Sequence, residues 1–426
     1  MRAAKVVFVN RYFAPDQSAT SRLLTDLAAR LAERGIAVSV VTSRQRYEDP
    51  HAALPPRENV AGVQVYRVDS ANRGRARLGG RALDYATFHA AASLELLRRV
   101  SPGDVVVAKT DPPLISVTAS YAAKWKGVAL VNWLQDVFPE VAEALTPDLL
   151  PRMLAWGLTA ARDRSLRRAA LNIVVSEGMR ERLIARGIAS TRIKVVPNWA
   201  DTSRITPHPA ADTLTRRRYA LAARFVLGYS GNLGRAHEFD TLVGAASLLR
   251  HEPRFAFLIT GAGARAEALK QAVAAEGLAS FVFQPFQPAA MLGDSLAAPD
   301  VHLVSLLPEL EGLVLPSKLY GVLAAGRPTI FVGDPNGEIA RLLRDHDCGI
   351  AVRTGDSAQL AAELRSLSDA PARVERMGVR ARELALQRYT AEHAVAEWLE
   401  VLTDIAPASI TRSLQTRRAA DVVGAA

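Results

Sequence analysis

The sequence predicts an α/β protein made of two doubly wound domains, each a parallel sheet with helices on both faces. Three observations carry that expectation. Short apolar runs alternate with longer stretches whose leucines recur at helical spacing, the rhythm of strand–helix–strand units. Most of these runs end in Gly, Pro or polar residues, the place where ligands of such folds gather beyond the carboxyl ends of the strands. The length, 426 residues, exceeds what one core comfortably serves.

Taken in order, Lys5–Asn10 (KVVFVN) reads as a buried parallel strand. A polar loop, Arg11–Thr20, follows, then a helix with Leu23, Leu24, Leu27 and Leu31 on one face and Gly35 as its stop. Val38–Thr42 is the next strand. The loop at Asp16–Thr20 therefore lies where a ligand would, and Ser18 either touches it or, like Thr20, caps the helix. Val105–Ala108 and Val128–Leu134 (VALVNWL) are further strands, the first ending in Lys109-Thr110-Asp111-Pro112-Pro113 and the second in Gln135–Glu140 (QDVFPE). Asp136 is the candidate for orienting or deprotonating an acceptor hydroxyl; the competing reading is a cap for a helix from Pro139. Leu149–Arg168 alternates bulky apolar residues with Arg152, Arg162, Arg164, Arg167 and Arg168, a pattern open to an anionic membrane surface or to a core helix with a solvated basic face. Asn172–Ser176 and Ile193–Val196 close the first domain.

Phe225–Gly228 restarts the rhythm. Gly228–Leu242 (GYSGNLGRAHEFDTL) follows a strand and opens a helix, as a phosphate-binding glycine loop does, with Gly231, Asn232 and Gly234 as contacts and Arg235 as a cation. Phe257–Thr260 runs into Gly261-Ala262-Gly263, a turn that either approaches a nucleotide or packs tightly. Phe281–Pro285 and Val301–Ser305 lead to the stretch Glu309–Pro328. Two carboxylates, Glu309 and Glu311, come first; Gly312 lets backbone approach a ligand, and Pro316-Ser317-Lys318 sets a hydroxyl and a cation at the start of an apolar helix ending at Ala325-Gly326. Free N–H groups, a hydroxyl and a lysine suit a phosphate or diphosphate, and a solvated cap is the bland alternative. Glu338 opens another helix, where it complements the dipole. Residues 357–404 read as helical. The expected organisation is a first domain over residues 1–200, a linker over 201–223, a second domain over 224–390, a helix over 391–406 returning to the first domain, and an unstructured tail over 407–426.

Several of these stretches resemble one family. EGLVLPSKLYGVLAAGRP (Glu311–Pro328) is similar to the donor-sugar motif of the large group of retaining glycosyltransferases, glycosyltransferase family 4, in the branch that builds colanic acid, O-antigen and exopolysaccharide. QDVFPE, VVSEGM…KVVPNWAD and the first-strand loop match the same group, although relatives often carry a Gly pair where this chain has Ser18-Ala19. The resemblance spans residues 5–400 and implies the GT-B fold, two Rossmann-like domains facing a cleft. It implies a nucleoside-diphosphate sugar, UDP-linked, on the second domain, with Arg235, Lys318 and the amides of Gly312, Leu313 and Val314 at the diphosphate beside Pro316 and Ser317. Glu311 would hold donor-sugar hydroxyls, and Phe283 and Gln284 would lie near the base. The sugar would be an N-acetylated hexose or deoxyhexose, and the acceptor an undecaprenyl-diphosphate-linked or other glycan presented to Asp136. No metal and no cofactor are implied. The chain departs from the family elsewhere too. Gly321 stands where relatives carry a ribose-binding Glu, for which Glu338 is the candidate substitute, and Asn232 and, roughly, His237 stand where relatives carry the Arg and Lys that grip the diphosphate. Two rivals follow: a UDP-N-acetylglucosamine 2-epimerase, and a silent nucleotide-sugar-binding protein.

Charge narrows the partners. The formal net charge is +10, and residues 1–200 hold 29 Lys and Arg against 18 Asp and Glu, so the excess lies wholly in the first half. Basic residues are not interleaved with aromatics and no nucleic-acid motif occurs, which argues against nucleic acid and leaves an anionic membrane face or nothing beyond solubility. No run of about 18 apolar residues and no signal peptide are seen, and the single cysteine fits a reducing cytoplasm.

Overall fold

The computed structural model describes residues 4–73, 78–147 and 151–406. The tail from Pro407, and Leu149 and Leu150 of the basic segment, lie outside the described residues. The chain forms two compact units, Met1–Pro197 together with the chain from Glu392, and Asn198–Ala391.

The first unit holds an eight-stranded sheet. Its strands are β1 (Lys5–Val9), β2 (Ala37–Ser43), β3 (Arg57–Val60), β4 (Val63–Val68), β5 (Val105–Lys109), β6 (Ala129–Trp133), β7 (Leu171–Val174) and β8 (Ile193–Val195), in the order β3-β4-β2-β1-β5-β6-β7-β8. All neighbours run parallel except β3 and β4, an antiparallel hairpin with Val60 paired to Val63. Its two turn residues, Ala61 and Gly62, both have positive φ, 49° and 82°, as a tight turn matched to strand twist requires. The central strands β1, β2, β5, β6 and β7 are buried on both faces because helices cover both, which is why they read as apolar runs. The helix Ala19–Glu33 turns Leu24, Leu27, Ala28 and Leu31 inward. The C-terminal helix Ala391–Ile405 belongs to this sheet: Trp398 is fully buried, with its ring centroid 4.9 Å from that of Trp133 and 6.1 Å from that of Phe8.

The second unit is an all-parallel sheet of β9 (Phe225–Ser230), β10 (Phe255–Thr260), β11 (Phe281–Gln284), β12 (Val301–Ser305), β13 (Thr329–Gly333) and β14 (Gly349–Arg353), ordered β11-β10-β9-β12-β13-β14. Strand order reverses between β9 and β12, and in the first sheet between β1 and β5. Ligands of such sheets bind outside the carboxyl ends at these reversals.

Residues 201–223, expected as a linker, are folded into the second unit. Asp294 accepts the Leu214 and Thr215 amides at 2.7 and 3.1 Å, and Arg216, buried, reaches Asp300 at 2.5 Å and the Ala298 carbonyl at 2.7 Å. The segment is instead held to the second unit by these bonds, with the ion pair of Arg216 and Asp300 at their centre.

Candidate functional site

Three loops of the second unit converge where its strand order reverses. The first, after β9, carries Gly231, Asn232 and Gly234; the second, after β10, carries Gly261 and Gly263. A Cβ at Gly261 would lie 2.0 Å from the Gly231 carbonyl oxygen, and one at Gly263 would lie 2.5 Å from Asn232 Oδ1. Both glycines have positive φ, 136° and 153°, so nothing larger fits between these loops. The third loop, after β12, delivers Lys318, whose Cε lies 3.1 Å from where a Gly231 Cβ would be.

Lys318 is held by two neutral groups. Its ammonium donates to Tyr229 Oη at 2.6 Å and meets His237 Nε2 at 2.8 Å. The Tyr229 hydroxyl donates onward to the Asn232 carbonyl at 2.8 Å, and His237 Nδ1 lies 2.6 Å from the Ser305 carbonyl. Burial lowers the Lys318 ammonium well below its usual range, and burial with the nearby Lys318 charge holds His237 down at about 3. Arg235 is exposed and makes no hydrogen bond or ion pair among the described residues. A second cation that the sequence did not single out, Arg265, donates weakly to the His237 carbonyl at 3.4 Å.

Other expected ligand groups are already engaged. Glu311 Oε1 accepts the Glu338 amide at 2.5 Å, and a Cβ at Gly337 would meet the Glu311 carboxylate at 2.7 Å. Glu311 thus caps the helix Glu338–Asp345 from a distant loop, which brings Glu311 and Glu338 together. Burial raises the Glu311 carboxyl, and Glu338 and Asp334 add repulsion against the bonded amide. The amides of Leu313 and, at 3.3 Å, Val314 donate to the Leu310 carbonyl, so they close the turn after Gly312 and do not face outward as expected. Pro316 is buried, and Ser317 is exposed at the start of the helix Lys318–Ala324 without a capping bond from its hydroxyl. Gln284 is buried: its amide donates to Thr260 Oγ1 at 2.6 Å and its carbonyl accepts the Gly261 amide at 2.9 Å, so it serves the sheet. Phe283 stacks on Phe281, with centroids 5.9 Å apart, at the edge of the core. At Gly321 a Cβ would sit 3.3 Å from Leu296 Cδ1, a tight fit for a longer side chain.

In the first unit, Asp136 lies beyond the carboxyl end of β6. It lines a cavity of about 40 Å³ with Thr110, Ser116, Asn132 and Arg162. Burial, then repulsion from Asp111, raises its carboxyl to about 7. Asp136 does not cap the helix Glu140–Leu145, whose start has no side-chain cap. Arg162 is the residue missed here. Expected on a solvated or membrane-facing surface, it is buried, and grips Glu140 at 2.6 Å, Asp163 at 2.7 Å and the Phe138 carbonyl at 3.1 Å, pinning the segment that carries Asp136. Ser18 neither caps its helix nor stands free: its hydroxyl donates to Asp16 Oδ1 at 2.5 Å. Among the described residues no group of three His, Cys, Asp or Glu side chains could hold a metal, and no helix is long and apolar enough to cross a membrane.

Two family models match in tandem, "Glycosyl transferase 4-like domain" over residues 19–199 and "Glycosyl transferases group 1" over residues 224–370. With two Rossmann-like sheets in this order, the chain is a glycosyltransferase of the GT-B fold. Within that class it belongs to the glycosyl transferase group 1 family, with a 4-like first domain. It is 27% identical over 370 residues to the probable glycosyltransferase WbjE of Pseudomonas aeruginosa, covering 84% of this chain and 88% of that protein. It is 30% identical over 181 residues to the putative colanic acid biosynthesis glycosyl transferase WcaI of Escherichia coli K12, covering 42% of this chain and 44% of that one. The solved structure of HepE from Anabaena in complex with UDP-glucose matches with a TM-score of 0.70 at 17% identity, over 94% of this chain and 99% of that one, a likeness of fold.

Proposed function

We propose that this enzyme transfers a sugar, with retention of configuration, from a UDP-linked donor to a lipid-diphosphate-linked acceptor in the synthesis of a surface polysaccharide. The observation that carries the reading is Lys318. A half-buried cation held by two uncharged partners, where three loops meet at a strand-order reversal, has the chemistry to bind a diphosphate and to neutralise the charge that builds on it as the glycosidic bond breaks. Arg235 adds a second cation from the glycine loop. Glu311 fixes the helix start that presents Glu338 beside this loop. Asp136, with its raised carboxyl, is the group we assign to the acceptor hydroxyl. The names of WcaI and HepE support polysaccharide synthesis and a UDP-sugar respectively. The first experiment is a binding and transfer screen of the purified protein against UDP-, GDP- and dTDP-sugars, with and without lipid-diphosphate acceptor. Transfer that requires acceptor and is confined to UDP-sugars is the expected result; binding with no transfer to any acceptor would refute the reading.

The same reading places the enzyme on the anionic face of a membrane, where such an acceptor resides. Along the helix Arg152–Arg168, Met153 (87% exposed), Trp156 (75%), Arg164 and Arg167 share the outward stripe. The neighbouring helix Ile115–Lys126 exposes Tyr121 and Trp125 (84%), and Arg168 stacks on Tyr121 at 5.7 Å. Lys124 also faces outward, and the single acid on these two helices, Asp163, is buried with Arg162. Exposed tryptophans among cations match an anionic lipid surface. The protein should sediment with phosphatidylglycerol-containing vesicles, and Trp125→Ser with Trp156→Ser should weaken this about tenfold or more. Equal binding to pure phosphatidylcholine, or no loss in the double variant, would count against it.

A further inference from the structure

We propose that His237 is a positioning residue for Lys318: it takes one ammonium proton in a hydrogen bond whose direction Ser305 fixes, and so aims the remaining N–H at an anionic group of the donor. The inference rests on the reading that Lys318 meets the donor's diphosphate, and it assigns a role to a residue outside the motif that carries Lys318.

The directions of the bonds follow from valence. The Ser305 carbonyl can only accept, so at 2.6 Å His237 Nδ1 carries the hydrogen. Nε2 of the neutral ring then has a lone pair and accepts from Lys318 at 2.8 Å. Tyr229 Oη spends its own proton on the Asn232 carbonyl and likewise accepts from Lys318, at 2.6 Å. Two of the three ammonium protons are therefore committed, each through a relay that ends on a backbone carbonyl. One relay ends on Ser305, the last residue of β12; the other ends on Asn232, in the loop after β9. The cation is thereby tied to both strands that flank the reversal of strand order, and no described carboxylate bonds to it. A phosphate oxygen supplies the acceptor for the third proton and the charge that the site lacks. The other titratable groups about His237 are Arg265, which bonds only to its backbone carbonyl, and Glu238, whose Oε1 accepts the Thr241 amide.

The two His237 amide variants separate the bonds. In His237→Gln the amide oxygen reaches the place of Nε2 and keeps the bond to Lys318, whereas His237→Asn reaches only the place of Nδ1 and keeps the bond to Ser305. The chain has seven lysines, so the Cε signals of a 13C-lysine-labelled sample can be followed one by one through a pH titration. Lys318 in His237→Gln should titrate as in the native protein, and in His237→Asn it should titrate lower, having lost an acceptor for its charged form. The dissociation constant for UDP should rise about threefold to tenfold in His237→Asn and stay near native in His237→Gln. A Lys318 titration unchanged in His237→Asn overturns the proposal, as does equal weakening by both variants, which would assign the effect to the Ser305 bond. If the titration behaves as expected but the native protein binds no nucleotide sugar, His237 still positions Lys318 and the donor reading falls alone.

Discussion

Lys318→Met should weaken UDP binding about 10- to 100-fold, the worth of a charge-assisted hydrogen bond to phosphate in a site that offers few alternatives. Transfer should fall further, by about 10²- to 10³-fold, because negative charge grows on the diphosphate as the sugar leaves and the missing cation is missed most at that point. Methionine keeps the apolar length of the stem and removes only the ammonium, so the loops after β9 and β12 should keep their packing. The Tyr229 ring, 4.3 Å from Lys318 Nζ, then faces a thioether, which it tolerates well. Binding is read by calorimetry with UDP and transfer by product formation under saturating donor. The informative comparison is with Arg235→Met. Arg235 is exposed and unanchored, so its loss should cost several-fold at most, since an immobilised, half-buried cation does more than a solvated one. If Lys318→Met bound UDP as the native protein does, the diphosphate would have to lie elsewhere and the proposed donor site would be wrong.

The fold was legible because it is written locally. The apolar runs at Lys5–Asn10 and Val301–Ser305 became β1 and β12 to within a residue, since strands buried on both faces leave no other reading for such runs. The hairpin of β3 and β4 escaped notice because its strands are half exposed and carry Arg57, Glu58, Gln64 and Arg67. The site was legible only in part, for a physical reason. Sequence motifs name residues that belong together along the chain, whereas the bonds that fix their roles are long-range. Lys318 could be singled out from its motif; that it leans on His237, 81 residues away, could not. Glu311 reads as a free carboxylate until Gly337 and the Glu338 amide are found against it. Arg216 reads as part of a linker, and Arg162 as surface charge, until Asp300 and Glu140 are placed beside them. Lys109 is the extreme case: a charged residue at a strand end, fully buried 3.0 Å above the Trp133 ring, whose ammonium donates no hydrogen bond among the described residues. Only the register that pairs Lys109 with Trp133 accounts for that position.

Asp136→Asn should lower transfer about 10²- to 10⁴-fold, the range in which a positioned general base contributes, while leaving UDP binding within about twofold of native, because Asp136 and the glycine loops lie in different units. The pH dependence is the sharper test. A base works as the carboxylate, so with the carboxyl raised to about 7, kcat/KM for the acceptor should climb through that value and level above it. Burial is the larger cause and Asp111 the second, so Asp111→Asn should move the midpoint down without abolishing it. The same shift has a sign for stability. In the unfolded chain an aspartate titrates at its ordinary 3.8, so between 3.8 and about 7 the folded protein keeps a proton that the unfolded chain has released. That contribution is complete below 3.8 and is lost as pH rises through about 7, the reverse of a salt-bridged carboxylate. Asp136→Asn removes the titration, so the variant's stability should fall less over that window than the native protein's. A rate profile flat from pH 5 to 9 would sink Asp136 as the base, and a stability difference between the two proteins that does not change with pH would show that its carboxyl is not raised at all.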